Sequence, residues 1–83
     1  MTKILFMGRL RDAAGAEIEE IDLPTGIETA ADLRAWLSAR NPELGRALSS
    51  SSVRAAVDLE IVDDGHSVQE AREVAFLPPF SGG

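Results

Sequence analysis

The residues best suited to chemistry lie at the end of the sequence, where Gly82 and Gly83 close the chain. Glycine has no Cβ, so a Gly-Gly segment fits a channel too narrow for other residues and leaves its carbonyl open to attack. The group that reacts would be the α-carboxylate of Gly83. Chain ends are often frayed and glycine-rich. The combination of a strand, a proline pair and two glycines nevertheless favours a functional tail.

The segment before the glycines predicts how the tail leaves the domain. Residues 74–77 are all apolar and are typical of a buried or half-buried strand. Pro78 and Pro79 lack the N–H donor that strand pairing needs, so the strand should stop there. Tandem proline also favours an extended backbone. The six residues 78–83 could reach at most about 20 Å, which is enough to enter the active site of another protein.

No catalytic or metal-binding constellation is evident within the rest of the chain. The sequence has no cysteine, which excludes disulfides, thiolate metal ligands and a thiol nucleophile. His66 is the single histidine and follows a turn-forming Asp63-Asp64-Gly65 segment, so we interpret it as a surface residue. Residues 49–52 are four serines that predict a solvated loop. The prediction for metal ligands is therefore none.

Composition and charge describe one small acidic domain. The chain has 83 residues, 45% of them hydrophobic, and a net charge of -6. An acidic surface is a poor match for nucleic acid or for an anionic membrane. It suits either a basic protein surface or plain solubility. We see no signal peptide or membrane-spanning run, so we expect a cytoplasmic protein.

The alternation of apolar residues predicts strands over residues 3–9, 17–23, 53–57 and 73–77. A turn at residues 13–16 should join the first two strands as a hairpin. Both faces of the first strand are apolar, so it should be central, whereas the imperfect alternation of the second strand indicates either a sheet edge or a bulge. Residues 58–62 either continue the third strand or form the far arm of a tight hairpin.

Two helices are predicted between the second and third strands. Thr29 can cap the first, with Asp32 three residues on as in a capping box. Asn41 and Pro42 can begin a short second helix. The order of strands and helices predicts an α+β domain. The side chains expected to pack on the sheet are Leu33, Trp36, Leu37, Leu44 and Leu48.

Three segments together resemble a known family. They are residues 76–83 (Phe-Leu-Pro-Pro-Phe-Ser-Gly-Gly), residues 4–15 (an apolar run followed by Arg-Leu-Arg-Asp and a glycine) and, more loosely, residues 55–62. They resemble the MoaD family, the small subunits of molybdopterin synthase, which are ubiquitin-like sulfur carriers. The resemblance implies a β-grasp fold: a mixed sheet of four to five strands, with one main helix packed across it. It places this domain over residues 1–77 and a flexible tail over residues 78–83.

The resemblance also implies a role as a sulfur-donating subunit with no catalytic site of its own. An activating enzyme (MoeB-like) would use ATP-Mg to adenylate Gly83, and a sulfur donor would then displace AMP to leave a thiocarboxylate. The charged carrier would dock on the large subunit (MoaE-like) in a probable heterotetramer. It would there donate sulfur to a cyclic pyranopterin monophosphate, and two transfers would form the molybdopterin dithiolene. The large subunit would supply the basic residues for this anion, and the carrier itself would bind no cofactor.

The same resemblance assigns roles to individual residues. Gly82 would give clearance inside the partner's tunnel. Met7, Ile61 and Leu77 would form an apolar docking patch, or alternatively fill a second small core. Leu77, Asp58 and Gly8 stand where the family commonly has an aromatic residue, Asn and Ala. The remaining tail residues expected to line the docked segment are Pro78, Pro79, Phe80 and Ser81.

Three other functions stay open on the sequence. Sulfur carriers for thiamine synthesis or tRNA thiolation share the Gly-Gly end but usually lack the Phe-x-Pro-Pro segment seen at residues 76–79. A protein modifier joined to lysines through Gly83 would use the same activation chemistry as far as the adenylate. A plain binding module would not need the tail.

Overall fold

The computed structural model describes residues 1–79, and the predictions for Phe80, Ser81, Gly82 and Gly83 lie outside the described residues. Within this described part of the chain, five strands and three helices follow one another. In order they are β1 (Thr2–Phe6), α1 (Arg9–Ala14), β2 (Ile18–Ile21), α2 (Ala30–Arg40), α3 (Pro42–Leu48), β3 (Arg54–Val57), β4 (Glu60–Val62) and β5 (Glu73–Leu77).

The strands form one mixed sheet in the order β2-β1-β5-β3-β4. The first and last strands, β1 and β5, pair in parallel at its centre, and every other pair is antiparallel. This is the strand order of the β-grasp fold. The predicted α+β class, the central first strand and the edge position of the second strand are confirmed. The bounds of β5 agree with the predicted 73–77.

The segment after β1 differs from its prediction. The first strand ends at Phe6 rather than Arg9, and α1 occupies residues where a loop and part of a turn were expected. The prediction of a simple hairpin was therefore wrong, although β1 and β2 do pair. Gly8 has φ +56, which breaks the strand, and Leu10 is buried and anchors the new helix. Gly15, at φ +82, ends it in the left-handed conformation.

The helix starts agree with the predicted caps. Thr29 and Asp32 form the expected capping box, in which Thr29 Oγ1 accepts from the Asp32 N–H at 3.2 Å. The N–H groups of Glu28 and Thr29 each donate to Asp32 Oδ2 at 3.1 Å, and they hold the pKa of the Asp32 carboxyl below its ordinary value. Asn41 caps α3 by accepting from two N–H groups, and Pro42 follows in the first turn.

The hydrophobic core lies between the helices and one face of the sheet. Phe6 and Phe76 are neighbours on the paired central strands, with ring centroids 6.3 Å apart and both side chains fully buried. Four of the helix residues predicted to pack on the sheet are buried in this core. The fifth, Trp36, is half-buried at its edge. The buried helix residues named in advance are Leu33, Leu37, Leu44 and Leu48.

A two-residue turn at Asp58 and Leu59 joins β3 to β4, so of the two alternatives for residues 58–62 the hairpin is correct, with residues 60–62 as its far arm. Asp58 (φ 48) and Leu59 (φ 74) both have positive φ, as in a type I′ turn. Asp58 tolerates this conformation and its Oδ1 accepts from the N–H groups of Arg72 and Glu73, each at 3.0 Å. The side chain therefore ties the hairpin tip to the start of β5.

We expect Asp58→Ala to lower the free energy of unfolding by about 2 kcal/mol, because two backbone donors lose a charged acceptor. Asp58→Asn is the matched control, since it keeps an oxygen at the same place and also tolerates positive φ; it should stay within about 0.5 kcal/mol of the parent. Urea unfolding measures both. Equal stability of the alanine variant and the parent would show that Asp58 does not hold the hairpin.

Candidate functional site

The tail begins at the middle of the sheet. β5 is the central strand and lies between β1 and β3. It ends at Leu77, so Pro78 and Pro79 follow directly at the middle of the sheet edge. The N–H of Met7 donates to the carbonyl of Phe76 at 3.1 Å, so pairing with the β1 side continues to the end of β5. Pro78 is half-buried and Pro79 is exposed. The predicted stop of the strand at the proline pair is confirmed.

Gly8 sets how closely the tail packs on the domain. A Cβ placed on Gly8 would lie 2.9 Å from Pro78 Cγ, closer than side-chain carbons normally approach. The carbonyls of Met7 and Gly8 accept from the N–H groups of Leu10 and Arg11, so this turn is fixed to α1. The proline therefore packs against a bare backbone that cannot easily move away. Because glycine has no Cβ, Gly8 can adopt a positive φ and can also let Pro78 approach the backbone closely.

The face of the sheet opposite the helices is apolar and uncovered by the described residues. One row runs across all five strands through residues that face one another in register. Its central members, Ala75 and Ala56, are each only 8% exposed because neighbouring side chains shield them, whereas Ile18 and Ile61 at the edges are 49% and 56% exposed. We call this the open face, and its row consists of Ile18, Leu5, Ala75, Ala56 and Ile61.

The three residues predicted for a docking patch lie on this open face. Leu77 alternates with the buried Phe76, and Met7 follows the buried Phe6, so both point away from the helices. Met7 is 38% exposed and Ile61 lies one strand beyond β3. No described element covers these side chains to form a second core. Their role in docking a partner stays a prediction, as do the roles assigned to the tail residues.

Charged residues border the open face at both ends. Lys3 stands in register between Glu20 and Glu73 at the end away from the tail. Arg54 stands opposite Leu77 at the tail end. Met7, Ile61 and Leu77 were predicted for a docking patch, whereas the small residues Ala56 and Ala75 between them were not. Both alanines alternate along their strands with residues that face the core, which could have placed them on the opposite face. Alanine is only weakly hydrophobic, however, so it contributes little to such a pattern.

Other residues considered from the sequence lie where they were expected. His66 is exposed in the turn after β4, and the four serines form an exposed loop. Within residues 1–79 no group of three potential metal-ligating side chains comes together. None of the helices in the described part is long and apolar enough to span a bilayer.

Comparison with known proteins bears directly on this geometry. The ThiS family matches residues 4–83. The chain belongs to the ThiS family. It is 34% identical to the molybdopterin synthase sulfur carrier subunit of Escherichia coli strain K12, with 100% of both chains covered. It is 28% identical to the subunit of the same name from Chlamydomonas reinhardtii, covering 98% of this chain and 96% of the relative. The resemblance to the MoaD carriers is confirmed.

Solved structures support the fold. SAMP1 of Haloferax volcanii superposes with a TM-score of 0.78 at 23% identity, covering 99% of this chain and 98% of that one. A Pyrococcus furiosus protein provisionally named molybdopterin converting factor, subunit 1, gives a TM-score of 0.77 at 25% identity, with coverage of 95% and 97%. The predicted ubiquitin-like β-grasp fold is therefore confirmed.

Two glycine substitutions compare an open turn with the root of the tail. We expect Gly15→Ala, where nothing lies within 4 Å of the added Cβ, to cost about 1 kcal/mol of stability from the left-handed backbone alone. Gly8→Ala should cost about 1–2 kcal/mol more, because its backbone (φ 56, ψ -134) is less accessible to a side chain than the left-handed conformation and the added carbon also overlaps Pro78. Thermal unfolding of the two variants measures the difference. Equal losses would show that neither the backbone of Gly8 nor its contact with Pro78 is restrictive.

Proposed function

We propose that this protein is the sulfur carrier subunit of a molybdopterin synthase, acting in molybdenum cofactor synthesis. The observation that carries the proposal is the full-length match to the Escherichia coli sulfur carrier subunit, in a chain that ends in Gly82-Gly83 after a central strand. The family match extends through residue 83, so it includes the tail. A role as sulfur carrier explains why the tail follows the domain, since the fold of the domain does not require it.

The chemistry we assign to the carrier takes place at the Gly83 carboxylate. A carboxylate oxygen is a poor leaving group, so a separate activating enzyme first transfers AMP from ATP-Mg to it and releases pyrophosphate. A sulfur donor then displaces AMP, and the carrier holds its sulfur as a thiocarboxylate. This route needs no thiol, which is consistent with a chain that has no cysteine. The thiocarboxylate sulfur bonds to a carbon of the pyranopterin in place of an oxygen substituent, and water then cleaves the bond between this sulfur and the Gly83 carbonyl. The sulfur stays on the pterin, and the oxygen from water restores the carboxylate for another round.

The domain contributes position rather than catalysis. The tail leaves the sheet beside the apolar open face, so a partner that binds this face is directly placed to receive the tail. The four residues after Pro79 can extend about 14 Å, which sets the depth of the receiving channel. We assign the open face to the large subunit of the synthase and, in an alternative complex, to the activating enzyme. One carrier then cannot occupy both enzymes at once.

Lengthening the tail tests this proposal. A variant with one alanine added after Gly83 should keep the parent's unfolding midpoint but support no detectable dithiolene synthesis. The reactive carboxylate would then lie one residue further along the chain, on a residue that has a side chain. The assay combines carrier, activating enzyme, sulfur donor, large subunit and pyranopterin phosphate. An alanine inserted in the exposed serine loop at residues 49–52 is the matched control and should remain active. Full activity of the extended variant would refute the proposal.

Charge placed on the open face tests the docking assignment. We expect Ile61→Asp to weaken binding to the large subunit about 10- to 100-fold, because a carboxylate would have to be buried in an apolar contact. Leu59→Asp is the control: Leu59 is 88% exposed but lies in the hairpin turn, outside the row. It should change the dissociation constant less than about twofold. Isothermal titration calorimetry measures both, and equal effects would contradict the assignment.

A further inference from the structure

The open face carries charges of opposite sign at its two ends. Residues two positions away from the apolar row on the same strands point to the same face. At the end away from the tail these are Glu20, Lys3 and Glu73, which stand side by side in register. At the tail end the charged strand residue is Arg54, which stands beside Leu77. The face is therefore acidic at one end and basic at the other, with the apolar row between them.

This pattern is complementary to itself. Two copies can face each other across their open faces with antiparallel strands, related by a two-fold axis that runs across the strands. The apolar rows then lie on each other. Arg54 of one copy comes over Glu73 of the second and over Asp58, which is hydrogen-bonded to Glu73, and the symmetry repeats this contact. Facing sheets lie about 10 Å apart, a gap that an arginine and a glutamate side chain can span together.

Pairing of the same faces with parallel strands lacks this match. The two-fold axis would then run along the strands and place Arg54 over β1 of the second copy, close to Met7. Met7 and its neighbour Leu77 carry no charge, so the guanidinium group would lose water without gaining a partner. The strand order and the positions of the charges therefore select the antiparallel arrangement.

The apolar row suits contact between two copies. Ala75 and Ala56 are small, so the backbones of the central strands can approach each other, and the larger Leu5, Ile18 and Ile61 extend on either side. Ile18 and Ile61 are exposed in the single chain. In the antiparallel arrangement each of them packs on its own counterpart, and burial of this apolar surface stabilises the pair.

The size of the face predicts a weak association. Five strands about 4.8 Å apart, with three outward positions along the strands, give a face of roughly 24 by 20 Å. Two such faces bury about 1,000 Å² in total, which is at the lower limit for a specific interface. We therefore expect a dissociation constant on the order of 100 µM.

We propose that the free protein forms a weak symmetric dimer through its open face, with Arg54 of each copy paired to Glu73 and Asp58 of the other. A second copy fits because it presents both the apolar row and the opposite charges, in the order that this face requires. The dimer and any other partner that binds the open face exclude each other. The inference does not depend on the proposed function, since the dimer contains this chain alone.

Exchange of charges between two variants tests the dimer. Arg54→Glu brings carboxylates against each other in its own dimer, and Glu73→Arg brings guanidinium groups together, so each variant alone should dimerise about five- to tenfold more weakly than the parent. In an equal mixture, copies of the two variants can pair with opposite charges at both ends. The mixture should therefore return to within about threefold of the parent's dissociation constant.

Sedimentation equilibrium measures the association, with protein concentrations up to about 1 mM, ten times the expected dissociation constant. The buffer contains about 0.15 M salt, so that repulsion between two chains of net charge -6 is screened beyond about 8 Å. Unfolding midpoints close to the parent's establish that every variant is folded.

A second pair of variants is the matched control. Arg11→Glu and Glu70→Arg make the same changes of charge at exposed positions outside the open face, on α1 and in the connection before β5. Alone or mixed, they should stay within about twofold of the parent. A parent that remains monomeric at the highest concentration, an open-face mixture that associates no better than its components, or equal effects in the control pair would each overturn the dimer. None of these results bears on sulfur transfer, so the proposed function would stand.

Discussion

The parallel pairing of β1 with β5 is the constraint on which the rest of the structure depends. It brings the two ends of the described chain together in the middle of one sheet, with Phe6 and Phe76 stacked and fully buried between the sheet and the helices. Because β5 has neighbours on both sides, its end is held from both sides. The tail therefore starts from the middle of the sheet rather than from an edge.

That arrangement divides the sheet into two faces with different uses. One face packs against three helices and supplies the core, which a chain of 83 residues needs in full because a small domain buries a modest area. The other face bears an apolar row whose two edge members, Ile18 and Ile61, are exposed. Leaving such a row in water gives up burial energy. Docking of this face on a partner would bury the row and recover that energy. The same contact would direct the tail towards the partner's active site.

Much of this could be predicted from the sequence, where local signals were strong. Pro78 marks the end of β5, and Thr29 and Asn41 mark the starts of two helices through their side-chain oxygens. The helix α1 was missed because it is only six residues long and Gly8 offers no side-chain cap. Gly8 and Pro78 are far apart in the sequence, so no local pattern could show that a Cβ at position 8 would overlap the proline. No local pattern could show that the first and last strands pair in parallel, and the strand topology was implied only by the resemblance to a β-grasp family.

An intact mass spectrum of the carrier, taken after incubation with ATP-Mg, the activating enzyme and a sulfur donor, shows whether Gly83 accepts sulfur. We expect a mass increase equal to the replacement of one oxygen by sulfur, located by fragmentation on Gly83 and reversed when the large subunit and pterin substrate are added. An unchanged mass in the presence of a competent activating enzyme would show that the protein is not a sulfur carrier.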